Sequence, residues 1–131
     1  MKTAIILVNL GTPDEPTPQG VRRYLREFLS DTRVIEIPPF IWQIILNLFV
    51  LTTRPKRVAH AYESVWTADG SPLLAILKQQ AALLQDKLID NGTPTPVFPA
   101  TTYGNPNIKH VMKELQDKGY DDFIIFSLYP Q

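Results

Sequence analysis

The side chains that could bind a metal or transfer a proton are few in this sequence and widely spaced. The chain has two histidines and no cysteine, so thiolate metal sites, thiol nucleophiles and disulfides are excluded. His60 and His110 fall in different predicted helices, and we expect both at the surface rather than in a metal site. Asp14 and Glu15 are adjacent carboxylates, which we expect to favour the positive end of a nearby helix. The sequence therefore predicts no catalytic group and no metal ligand of its own.

Glycine-rich loops that would bind a nucleotide are also missing. Gly11 lies in the run Asn9-Leu10-Gly11-Thr12-Pro13, which has neither the G-x-G-x-x-G spacing nor a Gly-Lys-Ser/Thr sequence after it. The 13 basic and 13 acidic residues cancel, so the overall charge does not favour nucleic acid. The apolar start leads into a predicted turn rather than a cleavage site, and the lack of cysteine fits a reducing compartment, so we expect a cytoplasmic protein.

The elements that must position any site predict an α/β fold in one domain. The run from Ala4 to Val8 is continuously apolar, which is typical of a strand buried on both faces. The order β-α-β-α-α-α-β-α-β favours a parallel open sheet with flanking helices. Further strands are predicted at residues 34–37, 97–103 and 123–128. Helices are predicted to begin at Pro18 behind a Thr17 cap and to cover residues 40–51, 56–66, 72–90 and 107–118.

The ends of the predicted strands are the places where a ligand is expected. Open parallel sheets bind ligands beyond the carboxyl ends of their strands. The candidate loops are therefore residues 9–16, 102–106 and 129–131.

Apolar residues run almost without interruption from Phe40 to Leu51, with only Gln43 and Asn47 between them. Such a run is too short to span a bilayer, which takes about 20 apolar residues. Three cations follow it at Arg54, Lys56 and Arg57, a combination that suits the surface of an anionic membrane. A buried core helix would give the same pattern, and the residues alone leave both interpretations open.

Six segments resemble the amino-terminal half of ferrochelatases, the enzymes that insert ferrous iron into a porphyrin. In chain order they are NLGTP, VRRYLREFLSD, RPKRVAHAYESVW, GSPL, YGNP and SLYPQ, at residues 9–13, 21–31, 54–66, 70–73, 103–106 and 127–131. The resemblance implies a chelatase-like domain over residues 1–131, one of two doubly wound halves. It implies ferrous iron and protoporphyrin or coproporphyrin as substrates in the last steps of haem synthesis, with no tightly bound cofactor. The family's metal-handling His and Glu belong to the other half, so we expect this chain alone to be inactive.

The resemblance also assigns roles to particular residues. Tyr62 and Ser71 match positions that contact porphyrin propionates, and Arg54 is a weaker candidate for the same contact. Leu10 matches the residue that packs on the porphyrin face, and Tyr103 matches an aromatic residue at the bottom of the cleft. The remaining matches are Thr102, which stands where some relatives have arginine, and Leu25 and Leu29 of the upper lip.

The segment from Phe40 to Leu51 corresponds to a lip over the cleft that often faces the membrane. The resemblance thus favours peripheral contact with the inner membrane, with Trp42 exposed. We also expect self-association through the strand at residues 123–128 or the lip. Two alternatives stay open at this point: another tetrapyrrole chelatase, such as a cobalt enzyme for sirohydrochlorin, or a non-catalytic module that binds a tetrapyrrole or a membrane.

Overall fold

The computed structural model describes residues 1–31, 33 and 35–129, and it contains two compact units. The sheet unit consists of Met1–Gly11 and Leu73–Gln131, and the helical unit consists of Thr12–Pro72.

A parallel sheet forms the centre of the sheet unit, as the sequence predicts, and it has three strands in the described residues. Its strands are β1 (Thr3–Thr12), β2 (Val97–Gly104) and β3 (Asp122–Ser127), in the order β2-β1-β3. β1 and β3 run parallel in a register that pairs Ala4 with Phe123 and Val8 with Ser127. β1 is therefore the central strand, and it pairs with both β2 and β3.

The prediction that the first strand is buried on both faces is confirmed. One face of β1 contributes to a core with α5 (Ile108–Asp117), and the other contributes to a core with α4 (Pro72–Asp90). The buried residues of the first core are Ala4, Ile6, Val8, Ala100 and Leu115, and those of the second are Leu7, Leu77, Ala81 and Val97. Asn107 caps α5 by accepting a hydrogen bond from the Lys109 N–H at 2.9 Å.

Two sequence predictions about the strands are wrong. Of the strand predicted at residues 34–37, Val34 lies outside the described residues, and Ile35, Glu36 and Ile37 belong to no strand. The Ile35 N–H instead donates to the Asp31 carbonyl at 3.2 Å, so the short apolar run follows a turn. The described part of the chain therefore has three strands, not four. In addition, β1 continues to Thr12, where a turn was expected from Gly11.

The helical unit begins as the sequence predicts. α1 (Pro18–Leu29) has Pro18 at its first position, and the Thr17 hydroxyl accepts a hydrogen bond from the Gly20 N–H at 3.1 Å. The rings of Tyr24 and Phe28 stack on the apolar side of this helix, and Val21 is fully buried.

The two helices predicted at residues 40–51 and 56–66 form one nearly continuous helical path. It consists of α2 (Pro39–Ile45), a π-helical segment (Leu46–Val50) and α3 (Leu51–Val65), which packs against α1. Residues 52–55, which were left between the two predicted helices, are helical as well, and Pro55 lies buried inside α3. A proline removes the N–H that would bond four residues back. The wider π turn lies immediately upstream, where the Leu51 N–H reaches the Leu46 carbonyl five residues back.

Two surface features complete the fold. β3 lies at an edge of the sheet, and its side chains Ile124, Ile125 and Phe126 are each more than half exposed. Across the described residues, none of the helices combines the length and the apolar character that a membrane crossing needs.

Candidate functional site

The carboxyl ends of β1 and β2 meet in a very close backbone approach. Gly11 has a φ of +137°, and a Cβ atom on it would lie 2.0 Å from the Tyr103 carbonyl oxygen. Only glycine can occupy this position, because any side chain would collide with backbone that cannot move aside. The Tyr103 side chain is buried, with 7% of its surface exposed. Gly11 therefore brings its neighbour Leu10 and the Thr102–Tyr103 pair to the same edge of the sheet.

The side chains at this edge differ in polarity. Leu10 is partly exposed, and its N–H donates to the Asn9 side-chain oxygen at 2.7 Å. The Thr102 hydroxyl lies 2.6 Å from the hydroxyl of Tyr129, so one of the two donates to the other. Tyr129 was missed as an individual residue, although the predicted loop at residues 129–131 includes it; Pro130 and Gln131 lie outside the described residues. The edge thus offers an apolar side chain beside a pair of linked hydroxyls.

Tyr62 is the centre of a second group of candidate residues, in the helical unit. It projects from α3 and packs edge-to-face on Trp66, with ring centroids 6.1 Å apart. Together with Arg57, Val58, Ala61 and Val65 it lines an open groove of about 430 Å³. Burial raises the pKa of the Tyr62 phenol, and the nearby Thr12 hydroxyl offsets part of that rise. Tyr62 is therefore a neutral hydroxyl donor at ordinary pH, which can bind a carboxylate without adding charge.

The Thr12 hydroxyl itself was not predicted as a site residue. It is 1% exposed, and its oxygen has no partner that meets hydrogen-bond geometry among the described residues. The Thr12 hydroxyl lies near enough to the Tyr62 phenol to lower its pKa in part, although the contact falls short of a normal hydrogen bond. The sequence signal was its place beside Gly11, but nothing in the sequence shows that its hydroxyl is unpaired.

The other predicted contacts of the helical unit differ in accessibility. Arg54 is exposed on α3, and Ser71 is buried just before α4. Leu25 and Leu29 are partly buried on α1. Without a ligand, Arg54 is thus open to solvent, whereas Ser71 is enclosed by protein.

The predicted lip segment exposes a large apolar surface. Phe40, Leu48 and Phe49 are 79%, 61% and 64% exposed, whereas Leu46 is fully buried and anchors the segment. A second open groove of about 390 Å³ is lined by Phe40, Gln43, Ile44, Asn47 and Leu48. Residues 40–49 therefore form an exposed face rather than a core helix.

The expected exposure of Trp42 is wrong. Trp42 is only partly exposed, because its indole N–H donates to the Leu29 carbonyl at the end of α1. An indole N–H near apolar packing usually finds such an acceptor. The exposed apolar side chains belong to other positions of the same segment.

Both histidines are exposed, as predicted. In residues 1–31, 33 and 35–129, no group of three or more His, Cys, Asp or Glu side chains could hold a metal ion. The described residues therefore offer no assembled metal site.

Comparison of the sequence with known proteins shows the family of this chain. The ferrochelatase family model matches residues 2–131. The ferrochelatase of Psychrobacter cryohalolentis is 54% identical over 132 residues, covering 99% of this chain and 39% of that protein. The ferrochelatase of Psychrobacter sp. PRwf-1 is 57% identical with the same coverage, and ferrochelatase 2 of Shewanella oneidensis is 48% identical, covering 99% of this chain and 40% of that protein. The chain thus spans about two fifths of the length of these relatives. Since the family match extends over nearly every residue, the chain belongs to the ferrochelatase family.

Proposed function

We propose that this chain provides one wall of a porphyrin site in an enzyme that inserts ferrous iron into protoporphyrin IX or coproporphyrin. The observation that carries the proposal is the approach of Gly11 to Tyr103 at the carboxyl edge of a parallel sheet. Ligands bind at this edge in open α/β sheets. The residues concerned belong to segments that match the ferrochelatase family.

The side chains suit a flat macrocycle that carries carboxylates on its rim. In the sheet unit, Leu10 and Tyr103 would pack against the apolar face, with Thr102 beside them. In the helical unit, taken by itself, Leu25 and Leu29 of α1 are proposed to make apolar contacts of the same kind. Tyr62 and Ser71 would donate hydrogen bonds to propionate oxygens, and the exposed Arg54 guanidinium would pair with the same carboxylates.

Binding and orientation are the proposed tasks of these residues, rather than proton abstraction. Metal insertion requires the pyrrole N–H protons to leave, and a base must lie within hydrogen-bond reach of them. His60 and His110 are exposed side chains of α3 and α5, and the proposal assigns neither of them the role of this base. Ferrous iron is a substrate in this proposal and not a resident metal.

Porphyrin binding should depend on the Tyr62 and Ser71 hydroxyls. Fluorescence titration of the 131-residue chain is expected to show binding. The double variant Tyr62→Phe with Ser71→Ala should weaken it by about 1–3 kcal/mol, because two hydrogen bonds to a charged group are lost.

The matched control is Tyr120→Phe with Ser64→Ala, which removes the same two kinds of hydroxyl elsewhere. Its affinity should equal that of the parent chain. Equal affinity of both double variants would remove Tyr62 and Ser71 from the site, and no binding by the parent would contradict the proposed function.

We also propose peripheral contact with the inner membrane, from the cytoplasmic side, through residues 40–49. The exposed apolar face of this segment supports the proposal, as do the exposed cations Arg54, Lys56 and Arg57 that follow on α3. Apolar side chains entering the interface and cations near anionic headgroups stabilise such contact together.

Vesicle sedimentation tests this contact. The triple variant Phe40→Ser, Leu48→Ser, Phe49→Ser should bind anionic vesicles at least about tenfold more weakly, because each apolar side chain contributes roughly 1.5–3 kcal/mol when fully buried. The control Ile76→Ser, Leu83→Ser, Ile89→Ser changes three exposed apolar residues of α4 and should bind like the parent. Identical binding of the two triple variants would contradict the assignment.

We also propose that the chain associates with a second copy of itself. β3 is an edge strand with three exposed apolar side chains, and such edges pair readily with a second copy. A two-fold dimer would use this one patch twice, with or without the lip segment.

Sedimentation equilibrium over a range of concentrations is expected to show a dimer. Ile125→Lys should shift it to monomer, because a lysine on an edge strand blocks pairing. Ile89→Lys, at an equally exposed position of α4, should leave the dimer intact. A parent chain that stays monomeric at high concentration would exclude this mode of association.

A further inference from the structure

The most unusual polar group in the described residues is the Thr12 hydroxyl. It is buried, and it lacks a hydrogen-bond partner. An unpaired buried hydroxyl costs roughly the free energy of a lost hydrogen bond, so most proteins avoid one. Thr101 shows the usual arrangement, because it is equally buried and its hydroxyl donates to the Pro106 carbonyl at 3.2 Å. The Thr12 hydroxyl thus requires an explanation that Thr101 does not.

The neighbour of this hydroxyl is Tyr62, and both residues belong to the helical unit. Tyr62 is half-buried, and it lines an open, almost wholly apolar groove on α3. Tyr62 is therefore partly accessible to a ligand, whereas Thr12 is buried. Any effect of Thr12 on a ligand must pass through Tyr62.

We propose that Thr12 is a positioning residue for ligand carboxylates, which it acts on through Tyr62. When a ligand carboxylate reaches the Tyr62 phenol, the Tyr62 O–H donates to it, and the Thr12 O–H donates to the Tyr62 oxygen. Ligand binding then closes a chain of two hydrogen bonds and satisfies the hydroxyl that is unpaired in the free protein. The inference rests on the proposed porphyrin function, whose propionates are the carboxylates concerned.

The direction of the chain follows from donor and acceptor capacity. A carboxylate only accepts, so Tyr62 must use its single proton on the ligand. Its oxygen then carries more negative charge and becomes a better acceptor for Thr12. Hydrogen bonds linked in this way strengthen one another. The nearby Thr12 hydroxyl already lowers the pKa of Tyr62 in part, because a hydroxyl dipole close to the phenol oxygen stabilises the phenolate even where the contact falls short of a hydrogen bond.

The variant Thr12→Val separates this role from a structural one. It keeps the shape of the side chain and removes only the hydroxyl. Urea denaturation should give a stability at least equal to that of the parent, because no protein hydrogen bond is lost. The control Thr101→Val should be less stable, because the bond to the Pro106 carbonyl is lost. A clear loss of stability in Thr12→Val alone would overturn the inference.

Porphyrin titration of the 131-residue chain and carbon-13 NMR titration of labelled tyrosine give the two functional readouts. Thr12→Val should bind porphyrin about fivefold more weakly, as expected for one neutral hydrogen bond. It should also raise the pKa of Tyr62 above that in the parent, with the resonance assigned from Tyr62→Phe. Thr12→Ser, which keeps the hydroxyl, should restore both properties. In the Tyr62→Phe background, Thr12→Val should have no further effect on binding.

The outcomes distinguish the inference from the function on which it rests. If the parent chain binds no porphyrin, the proposed function fails, and the ligand assigned to Thr12 and Tyr62 fails with it. If the parent binds and Thr12→Val binds equally well, or leaves the pKa of Tyr62 unchanged, the inference alone is overturned.

Discussion

The close approach of Gly11 to the Tyr103 backbone is the constraint on which the sheet unit depends. β1 is the central strand, and it is buried on both faces, so its position fixes both cores. At its carboxyl end it can lie against β2 only because residue 11 has no side chain. This contact places Leu10, Thr102 and Tyr103 at one edge of the sheet. These three of the residues that we propose for binding are therefore held by rigid strands, which gives a more exact placement than loops would.

Much of the sheet unit could be predicted from the sequence, because its signals are local and agree with one another. The apolar run at Ala4 to Val8 indicates a strand buried on both faces. In the helical unit, Thr17 likewise stands directly before the helix that it was predicted to cap. The prediction of a strand at residues 34–37 was wrong, because a short apolar run does not distinguish a strand from a turn. The course of β1 through Gly11 was also missed, since the contact with Tyr103 joins residues far apart in the chain.

In the helical unit, tertiary packing overrides several structural preferences that the local sequence indicates. Pro55 predicts a helix boundary, yet it is buried within α3 behind a π turn. Trp42 was expected to be exposed because it lies in an apolar segment followed by cations. It is only partly exposed, since its indole N–H donates to the Leu29 carbonyl. Family resemblance suggested Tyr62 and Ser71 as candidate ligand contacts, whereas the unpaired hydroxyl of Thr12 became visible only in three dimensions. Sequence can thus suggest candidate contact residues, but it does not show which buried hydroxyls lack a partner.

The central claim is that a porphyrin lies against the carboxyl edge of the sheet. The large ring current of the macrocycle shifts the NMR signals of nearby methyl groups upfield, so methyl spectra recorded during a porphyrin titration test the claim directly. The account predicts strong upfield shifts for the methyl groups of Leu10 and Thr102 and unchanged signals for Leu83, which is exposed on α4. Unmoved Leu10 and Thr102 signals in a chain saturated with porphyrin would contradict it.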